Sequence, residues 1–397
     1  MDKKIGILTG GGDCGGLNAA IEAIVKSANN EGWEVYGIRK GWEGLISGNL
    51  FRLDVSKVDG IHSQTGTVLQ TSRTNPYRFT GKLDGKDLQE ADVSEAVIRT
   101  MENFGLEAVI AAGGDDTLSV IPRLVEDYGT SPTFIGIPKT MDGDLQVYSL
   151  GLDTAINRSK KLLEDFVPIL KASGSIGIME FFGRDVGRLT FEGGIAGGAD
   201  VILIPEIPID LGYVCNFIAD KYDERARRDN GAPYVLVAVA EGTKHPLTGQ
   251  RVYLDNGEDS FGHSKLGGIG EETGRLIEEY RLKDDPRITK HTTHLDIKQQ
   301  RPTYDVRGGE TLASDSYIGQ KRGAAAVRFI REGAESGMAV VDFDEYMPIL
   351  ELIKPRPVNM IELRRFERSG LYCFGRNPNE KADASIPIVN NVETPLL

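Results

Sequence analysis

Cysteine is scarce in this chain: Cys14, Cys215 and Cys373 are the only three among 397 residues. An odd count without metal-ligand spacing argues against a disulfide framework and a thiolate zinc centre, and suits a reducing cytoplasm. Positive charge is also in deficit, with 46 Lys and Arg against 59 Asp and Glu and a net charge of −13. Nucleic acid and an anionic membrane both need a basic face, so neither is expected as a partner. Any anionic substrate must then be gripped by a few local arginines and lysines. No apolar run approaches the ~20 residues of a membrane helix. The amino end, Met1-Asp2-Lys3-Lys4, runs straight into Ile5-Gly6-Ile7-Leu8 and leaves no room for a signal peptide. Internal repeats and low-complexity segments are missing too. What is present is 40% hydrophobic residues, 26% charged residues and 48 glycines, in a chain long enough for two α/β domains rather than one core.

The polar chemistry is concentrated in short glycine-bearing stretches that follow apolar runs. The richest is Gly136-Ile137-Pro138-Lys139-Thr140-Met141-Asp142-Gly143-Asp144, which sets a lysine, a hydroxyl and two carboxylates just past Phe134 and Ile135. Pro138 cannot donate to a sheet ladder, so the polar group lies on a loop at the carboxyl edge of a buried strand. Open α/β sheets bind their ligands there. A carboxylate in that place can take a proton from a substrate hydroxyl while the ammonium offsets charge on a transferring phosphoryl group. The plain alternative is a polar loop whose threonine and aspartate cap the next helix.

Two earlier stretches repeat the pattern. Ile5 to Leu8 reads as a strand running into Thr9-Gly10-Gly11-Gly12-Asp13-Cys14-Gly15-Gly16, after which Leu17, Ala20, Ile21, Ile24 and Val25 recur at helical spacing. Bare backbone N–H groups at such a strand-to-helix turn can hold phosphate oxygens, although glycine also serves plain tight turns. Ala108 to Ala112 reads as a buried strand ending in Gly113-Gly114-Asp115-Asp116-Thr117. Asp115 there suits a magnesium ion held by one carboxylate plus substrate phosphates, or simply starts a helix. Trp33 to Ile38 is a further strand, and the loop 66–76 carries Arg73, either a phosphate clamp or a solvated arginine. Three consecutive strands ending in polar loops converge on one sheet edge.

A second α/β run follows. A helix is expected from Leu152 to Leu170, with strands from Ile176 to Phe181, Asp200 to Pro205 and Tyr234 to Ala240. A polar connection then leads to a helix near Ser264 to Tyr280, a helix from Ala313 to Glu332 and a strand from Met338 to Phe343. Arg184 and Glu241 stand at strand ends, and Arg307 on an exposed stretch.

The ordered set Gly-Gly-Gly-Asp (10–13), Thr-Ser-Arg (71–73), Gly-Gly-Asp-Asp-Thr (113–117), Pro-Lys-Thr-Met-Asp-Gly-Asp (138–144), Phe-Gly-Arg (182–184), Gly-Gly-Ala-Asp (197–200), Ala-Glu-Gly (240–242) and Tyr-x-x-Arg-Gly-Gly (304–309) resembles the phosphofructokinase family. The likeness runs from about residue 5 to about residue 345. It implies two Rossmann-like three-layer α/β domains with the active site in the cleft between them. Residues 1–140 plus about 290–345 would bind the phosphate donor and magnesium, 141–290 would bind a sugar phosphate, and 346–397 would form a C-terminal extension. The resemblance implies Asp142 as general base, with Lys139 and Asp116 beside it in catalysis. Gly12, Arg73 and Thr117 would hold the donor and Asp115 the Mg2+. Thr140, Met141, Asp144, Phe182, Gly183, Arg184, Glu241, Tyr304 and Arg307 would bind the sugar phosphate. Family members are commonly homodimers or homotetramers whose subunits complete each other's acceptor site.

Members using ATP typically carry glycine where this chain has Asp116 and Lys139, whereas members using diphosphate carry Asp and Lys. An aspartate at 116 adds charge and bulk where a nucleotide's α-phosphate would lie, and Lys139 can neutralise a departing phosphate. The expected reaction is therefore reversible transfer from diphosphate to the 1-hydroxyl of fructose 6-phosphate. Departures fall on the acceptor side. Ser175 and Lys298, each nine residues before a motif arginine, replace arginines that reach the neighbouring subunit's 6-phosphate, and Pro302 is foreign to the pattern. A serine cannot replace a charge-assisted bidentate contact, so Lys171, Lys298 and Arg301 are candidate substitutes and sedoheptulose 7-phosphate an alternative acceptor. An ATP-dependent phosphofructokinase and a regulatory sugar-phosphate-binding homologue are the rival readings. Retention of Asp115, Lys139, Asp142 and Arg184 argues against the second.

Overall fold

Ala108–Gly113 is a run of small and branched residues without polar alternation, and all of it is buried, as befits a strand covered on both faces. It is the central strand of the larger sheet in the computed structural model, which describes residues 3–228, 232–258, 264–280 and 282–376. Among these residues seven strands form that sheet, in the order Tyr346–Pro348, Met338–Val340, Thr133–Pro138, Ala108–Gly113, Lys4–Thr9, Glu34–Ile38, Leu50–Leu53. The inner strands are parallel and the outermost two antiparallel to their neighbours. A smaller, all-parallel sheet holds Ile297–Gln300, Ile176–Phe181, Val235–Ala240 and Val201–Leu203, in that order.

Parallel neighbours need crossovers, and helices supply them. Leu17–Asn30 buries Leu17, Ile21, Ile24 and Val25, and Ala313–Arg331 packs beside it. The helix Leu152–Ser173 carries the chain from the larger sheet to the smaller one. Because Lys4–Thr9, Ala108–Gly113 and Thr133–Pro138 are parallel and adjacent, the loops leaving their carboxyl ends lie side by side. The same holds for the loops after Ile176–Phe181 and Val235–Ala240. The two sets face each other across a cleft. No helix among the described residues is long and apolar enough to cross a membrane.

Several expectations are corrected. Ser264–Leu266 is not helical but pairs antiparallel with Tyr253–Glu258. The helix starts only at Ile269, because Gly267 and Gly268 take φ values of +141° and +89°, which a right-handed helix cannot hold. The strands expected over Asp200 to Pro205 and Met338 to Phe343 shorten to Val201–Leu203 and Met338–Val340. Ile297–Gln300 belongs to the smaller sheet, so the return to the larger one comes with Ala313–Arg331 and not near residue 290. The stretch from 346 is no appendage. Tyr346–Pro348 edges the larger sheet, while Cys373 exchanges backbone bonds with Asp200 and Ile202, at 2.9 and 2.8 Å, along the rim of the smaller one. An aromatic group of Phe191, Phe366, Tyr372 and Phe374 closes over that rim and covers an otherwise open sheet edge. The remainder of the expected extension, 377–397, and the first two residues lie outside the described residues.

Candidate active site

The glycine turn after the first strand is tied down from two sides. Gly10 N–H donates to Ala112 O at 2.9 Å and Gly11 N–H to Ser72 O at 3.0 Å, while Thr71 Oγ1 donates to Gly11 O at 2.5 Å. These bonds draw the loop 66–76, and with it the exposed Arg73, into the wall of the cleft. Close approach is what demands glycine here. Arg307 Nη1 lies 1.3 Å from where a Cβ on Gly12 would sit, and Lys139 Nζ 3.2 Å from the Cβ position of Gly11, whose φ is +77°. Two cations therefore rest directly on bare backbone. Arg307 also stacks on Phe182, 4.8 Å from the ring centroid, and its buried Nε has no hydrogen-bond partner among the described residues. An unpartnered buried guanidinium nitrogen is rare and fits a place for an anion.

Lys139 donates its backbone N–H to Gly113 O at 2.9 Å, and its side chain is buried. Burial is the main reason its ammonium gives up a proton more readily than usual; Arg307 and Arg73 add to the effect, and Cys14 and Asp142 oppose it. Asp115 and Asp116 occupy the first turn of the helix Asp115–Tyr128, where aligned peptide dipoles favour negative charge. Asp115 is exposed on the cleft wall. Thr117 borders the cleft too, yet its side chain is wedged 2.5 and 2.4 Å from the Cβ positions of Gly10 and Gly113. It holds the two glycine turns together and is itself buried.

Facing these groups, Thr140 Oγ1 donates to Asp144 Oδ1 at 2.6 Å and accepts from Asp142 N–H at 3.1 Å, which folds the loop so that both carboxylates line the cleft. Burial, then the Asp144 charge, pushes the Asp142 carboxyl up to about 7, against the pull of Arg307. Asp144 is raised as well, chiefly by burial. Glu241 is pushed up to about 8, first by burial and then by Asp142, with Arg184 opposing. All three crowded carboxyls are thus held above their ordinary range, and Asp142 and Asp144 titrate as a group. Gly242 N–H on Gly183 O at 3.0 Å and Glu241 N–H on Phe181 O at 2.9 Å lock the Phe182–Arg184 turn to Glu241.

All the expected site residues line the cleft except Gly183 and Tyr304. Gly183 serves through its carbonyl, just behind the wall. Tyr304, 80% exposed on the short turn Tyr304–Val306, stands outside the lining. Asp185 was missed: it lines the cleft and ion-pairs with Arg251, and its place next to Arg184 was the available signal. The candidate substitute cations do not gather there. Lys298 pairs with Asp296, Lys171 lies 5.3 Å from the Tyr234 ring centroid, and Arg301 lines a neighbouring hollow with Glu180. Ser175 is buried with its hydroxyl on Asp296 Oδ2 at 3.0 Å. Asp200, part of the Gly-Gly-Ala-Asp motif, is structural: Arg225 grips both its carboxylate oxygens at 2.7 and 2.9 Å.

A cleft between two α/β sheets, with cations laid on glycine turns and a cluster of buried carboxyls raised above their ordinary range, fits the class of phosphoryl-handling α/β proteins. Within that class the chain belongs to the phosphofructokinase family, whose sequence model matches residues 4–330. It is 36% identical over 333 residues to a pyrophosphate–fructose 6-phosphate 1-phosphotransferase of Streptomyces coelicolor, covering 83% of this chain and 88% of the relative. It is 34% identical, also over 333 residues, to an ATP-dependent 6-phosphofructokinase of Nostoc, covering 83% of this chain and 85% of that one. A pyrophosphate-dependent phosphofructokinase from Marinobacter aquaeolei shares the fold, with a TM-score of 0.67 at 18% identity over 100% of this chain and 98% of its own.

Proposed function

We propose that this chain transfers a phosphoryl group reversibly between inorganic diphosphate and the 1-hydroxyl of fructose 6-phosphate. Relatives of both donor types align at nearly equal identity, so overall similarity does not separate them. The observation that carries the donor choice is the pair Lys139 and Asp116 on the cleft wall. A buried lysine laid over Gly11 neutralises a small departing phosphate, and a carboxylate at 116 repels the α-phosphate of a nucleotide.

In the forward direction the 1-hydroxyl oxygen bonds to phosphorus and passes its proton to Asp142. The bond from phosphorus to the bridging oxygen breaks, and the leaving phosphate takes its electron pair beside Lys139. Gly12 and Arg73 hold donor oxygens against the turn of the larger sheet, while Arg307, expected among the acceptor's ligands, lies over Gly12 and so reaches the donor side as well. Arg184, Glu241 and Phe182 hold the acceptor from the smaller sheet, while Thr140 and Asp144 orient the loop that carries Met141 and Asp142. Magnesium, when bound, supplies charge neutralisation on the donor phosphates. Asp115 would hold it together with oxygens of the donor phosphates; no group of three or more His, Cys, Asp or Glu able to hold a metal alone occurs among the described residues. Assembly as a homodimer or homotetramer and a cytoplasmic setting belong to the same reading.

Steady-state assays with diphosphate or ATP against fructose 6-phosphate, sedoheptulose 7-phosphate and unphosphorylated sugars test the proposal. Turnover with magnesium diphosphate and little with ATP is expected; a strong ATP preference overturns the donor assignment. Losing the usual arginine at Ser175 removes a contact contributing ~1.5–3 kcal/mol. Fructose 6-phosphate is therefore expected to bind roughly ten- to a hundredfold more weakly than with that arginine in place. Preference for an unphosphorylated sugar would mean the acceptor site serves a different substrate.

A further inference from the structure

The family match ends at residue 330, yet the chain beyond it returns to the catalytic loop. After the turn of helix Ile349–Leu352, beneath the larger sheet, residues 352–358 run along the back of the loop 138–150 and bond to it repeatedly. Gln146 N–H donates to Leu352 O at 3.1 Å, and Gln146 Nε2 to Lys354 O at 2.8 Å and Pro355 O at 3.3 Å. Arg356 N–H donates to Asp144 O at 2.8 Å, and Arg356 Nη1 to Gln146 O at 3.1 Å. Two residues further on the segment binds the opposite wall. Val358 N–H donates to Glu206 Oε1 at 3.2 Å, and that same carboxylate accepts Gly187 N–H at 3.1 Å, at the end of the turn that carries Arg184 and Asp185. Arg188, the next residue, lies against Gly143, its Cδ 2.5 Å from the Cβ position there. The Glu206 carboxyl is buried and raised above the usual range chiefly by that burial. The segment therefore continues into the rim of the smaller sheet with one end fixed to each side of the cleft.

We propose that residues 352–358 are a positioning strap for catalysis, with Arg356 as its anchor on the Asp142–Asp144 turn and Glu206 as its anchor on the Arg184 turn. The strap sets the distance between the proton-accepting carboxylate and the acceptor-binding arginine, so the two walls hold their register as substrate enters. None of its residues lines the cleft. This inference rests on the reading of Asp142 as the base. Misplacement of a catalytic group by about 1 Å costs on the order of a hundredfold in rate, so removing one anchor is expected to lower kcat by about 10- to 100-fold.

The test is steady-state kinetics in the full chain on Arg356→Ala, Arg356→Lys, Gln146→Ala and the Arg356→Ala/Gln146→Ala double variant, with Asp142→Asn as reference. Arg356→Ala should reduce kcat with the KM for diphosphate nearly unchanged and displace the acid limb of the pH–rate profile. Arg356→Lys, which can still donate to Gln146 O, should recover part of the loss, and the double variant should lose less than the product of the single losses. A drop in melting temperature with kcat and the pH limb both unmoved would make the strap merely structural and overturn the proposal. If Asp142→Asn itself kept near-normal turnover, the assignment of the base would fail instead, which separates the two ideas.

Discussion

A carboxyl held near neutrality can act as base in one direction of a reversible transfer and as acid in the other. Asp142, pushed up to about 7 by burial and by Asp144, is placed for both. In the free enzyme kcat/KM for phosphorylating the sugar phosphate is expected to fall about tenfold per pH unit below about 7 as the base takes up a proton. The reverse reaction needs that proton and should fall above it, so profiles measured in the two directions should be mirror images. Asp142→Asn should cut turnover by roughly 10²- to 10⁴-fold while changing substrate affinity less. Near-normal turnover would shift the role to Asp144. Stability moves the other way. The folded state raises this pKa above its ordinary value of 3.8, so the neutral form is favoured by folding and stability is lost as pH rises through about 7. The permanently neutral asparagine variant should therefore be more stable than the parent at pH 8, by about 1–3 kcal/mol in a cleft that water partly screens, and nearly the same as the parent at pH 4. Lys139 and Asp142 were legible as chemical types on a strand-end loop. Their altered proton affinities were not, because those come first from burial in the folded cleft and then from charges such as Arg307 that the fold brings beside them.

Elements were legible where their burial is simple. The inner strands of both sheets are continuous apolar runs, and the helices show apolar residues at helical spacing. The hairpin Phe79–Leu83 with Lys86–Ala91 was not, since it is mostly exposed and carries no apolar run. Distant caps were equally hidden. The helix Leu152–Ser173 begins at Gly151, which has no side chain to cap it. Asp315, in the first turn of Ala313–Arg331, does so from across the fold, accepting Gly151 N–H at 2.8 Å, Thr154 N–H at 2.7 Å and Thr154 Oγ1–H at 2.6 Å. Asp315→Ala leaves those donors buried and unpaired. It should destabilise the protein by about 2–4 kcal/mol, given ~1.5–3 kcal/mol for a hydrogen bond to a charged group and the carboxylate's own burial cost. Chemical denaturation measures this, and a loss under about 0.5 kcal/mol, the usual range for a surface change, would refute the capping role.

At the scale of the whole molecule, the stretch beyond the family match joins the two sheets. Ending the chain after Phe343 removes the edge strand Tyr346–Pro348 and the buried Ile349, Leu352, Val358, Leu363 and Phe374. Each such side chain contributes ~1.5–3 kcal/mol when fully buried. Their sum rivals the ~5–15 kcal/mol that holds a typical folded protein together. The truncated chain is therefore expected to be insoluble or to lack a cooperative melting transition by circular dichroism. A soluble truncated protein melting at the parent temperature would show that the residues up to Phe343 suffice for the fold.

The sequence by itself determined the fold class, the family and nearly every residue of the cleft wall, because those depend on local order: apolar runs set the strands, and glycine, lysine and aspartate follow them at fixed offsets. Parallel pairing then brings those strand ends together without further instruction. Only the tertiary structure decided the rest. Tyr304 falls outside the wall, Lys298 is claimed by Asp296, Thr117 spends its side chain between two glycines, and residues 352–358 strap the walls together. Each of these outcomes depends on which distant backbone or side chain comes within about 3 Å, the reach of a hydrogen bond. That proximity is a property of packing between elements far apart in the chain, and no local pattern records it.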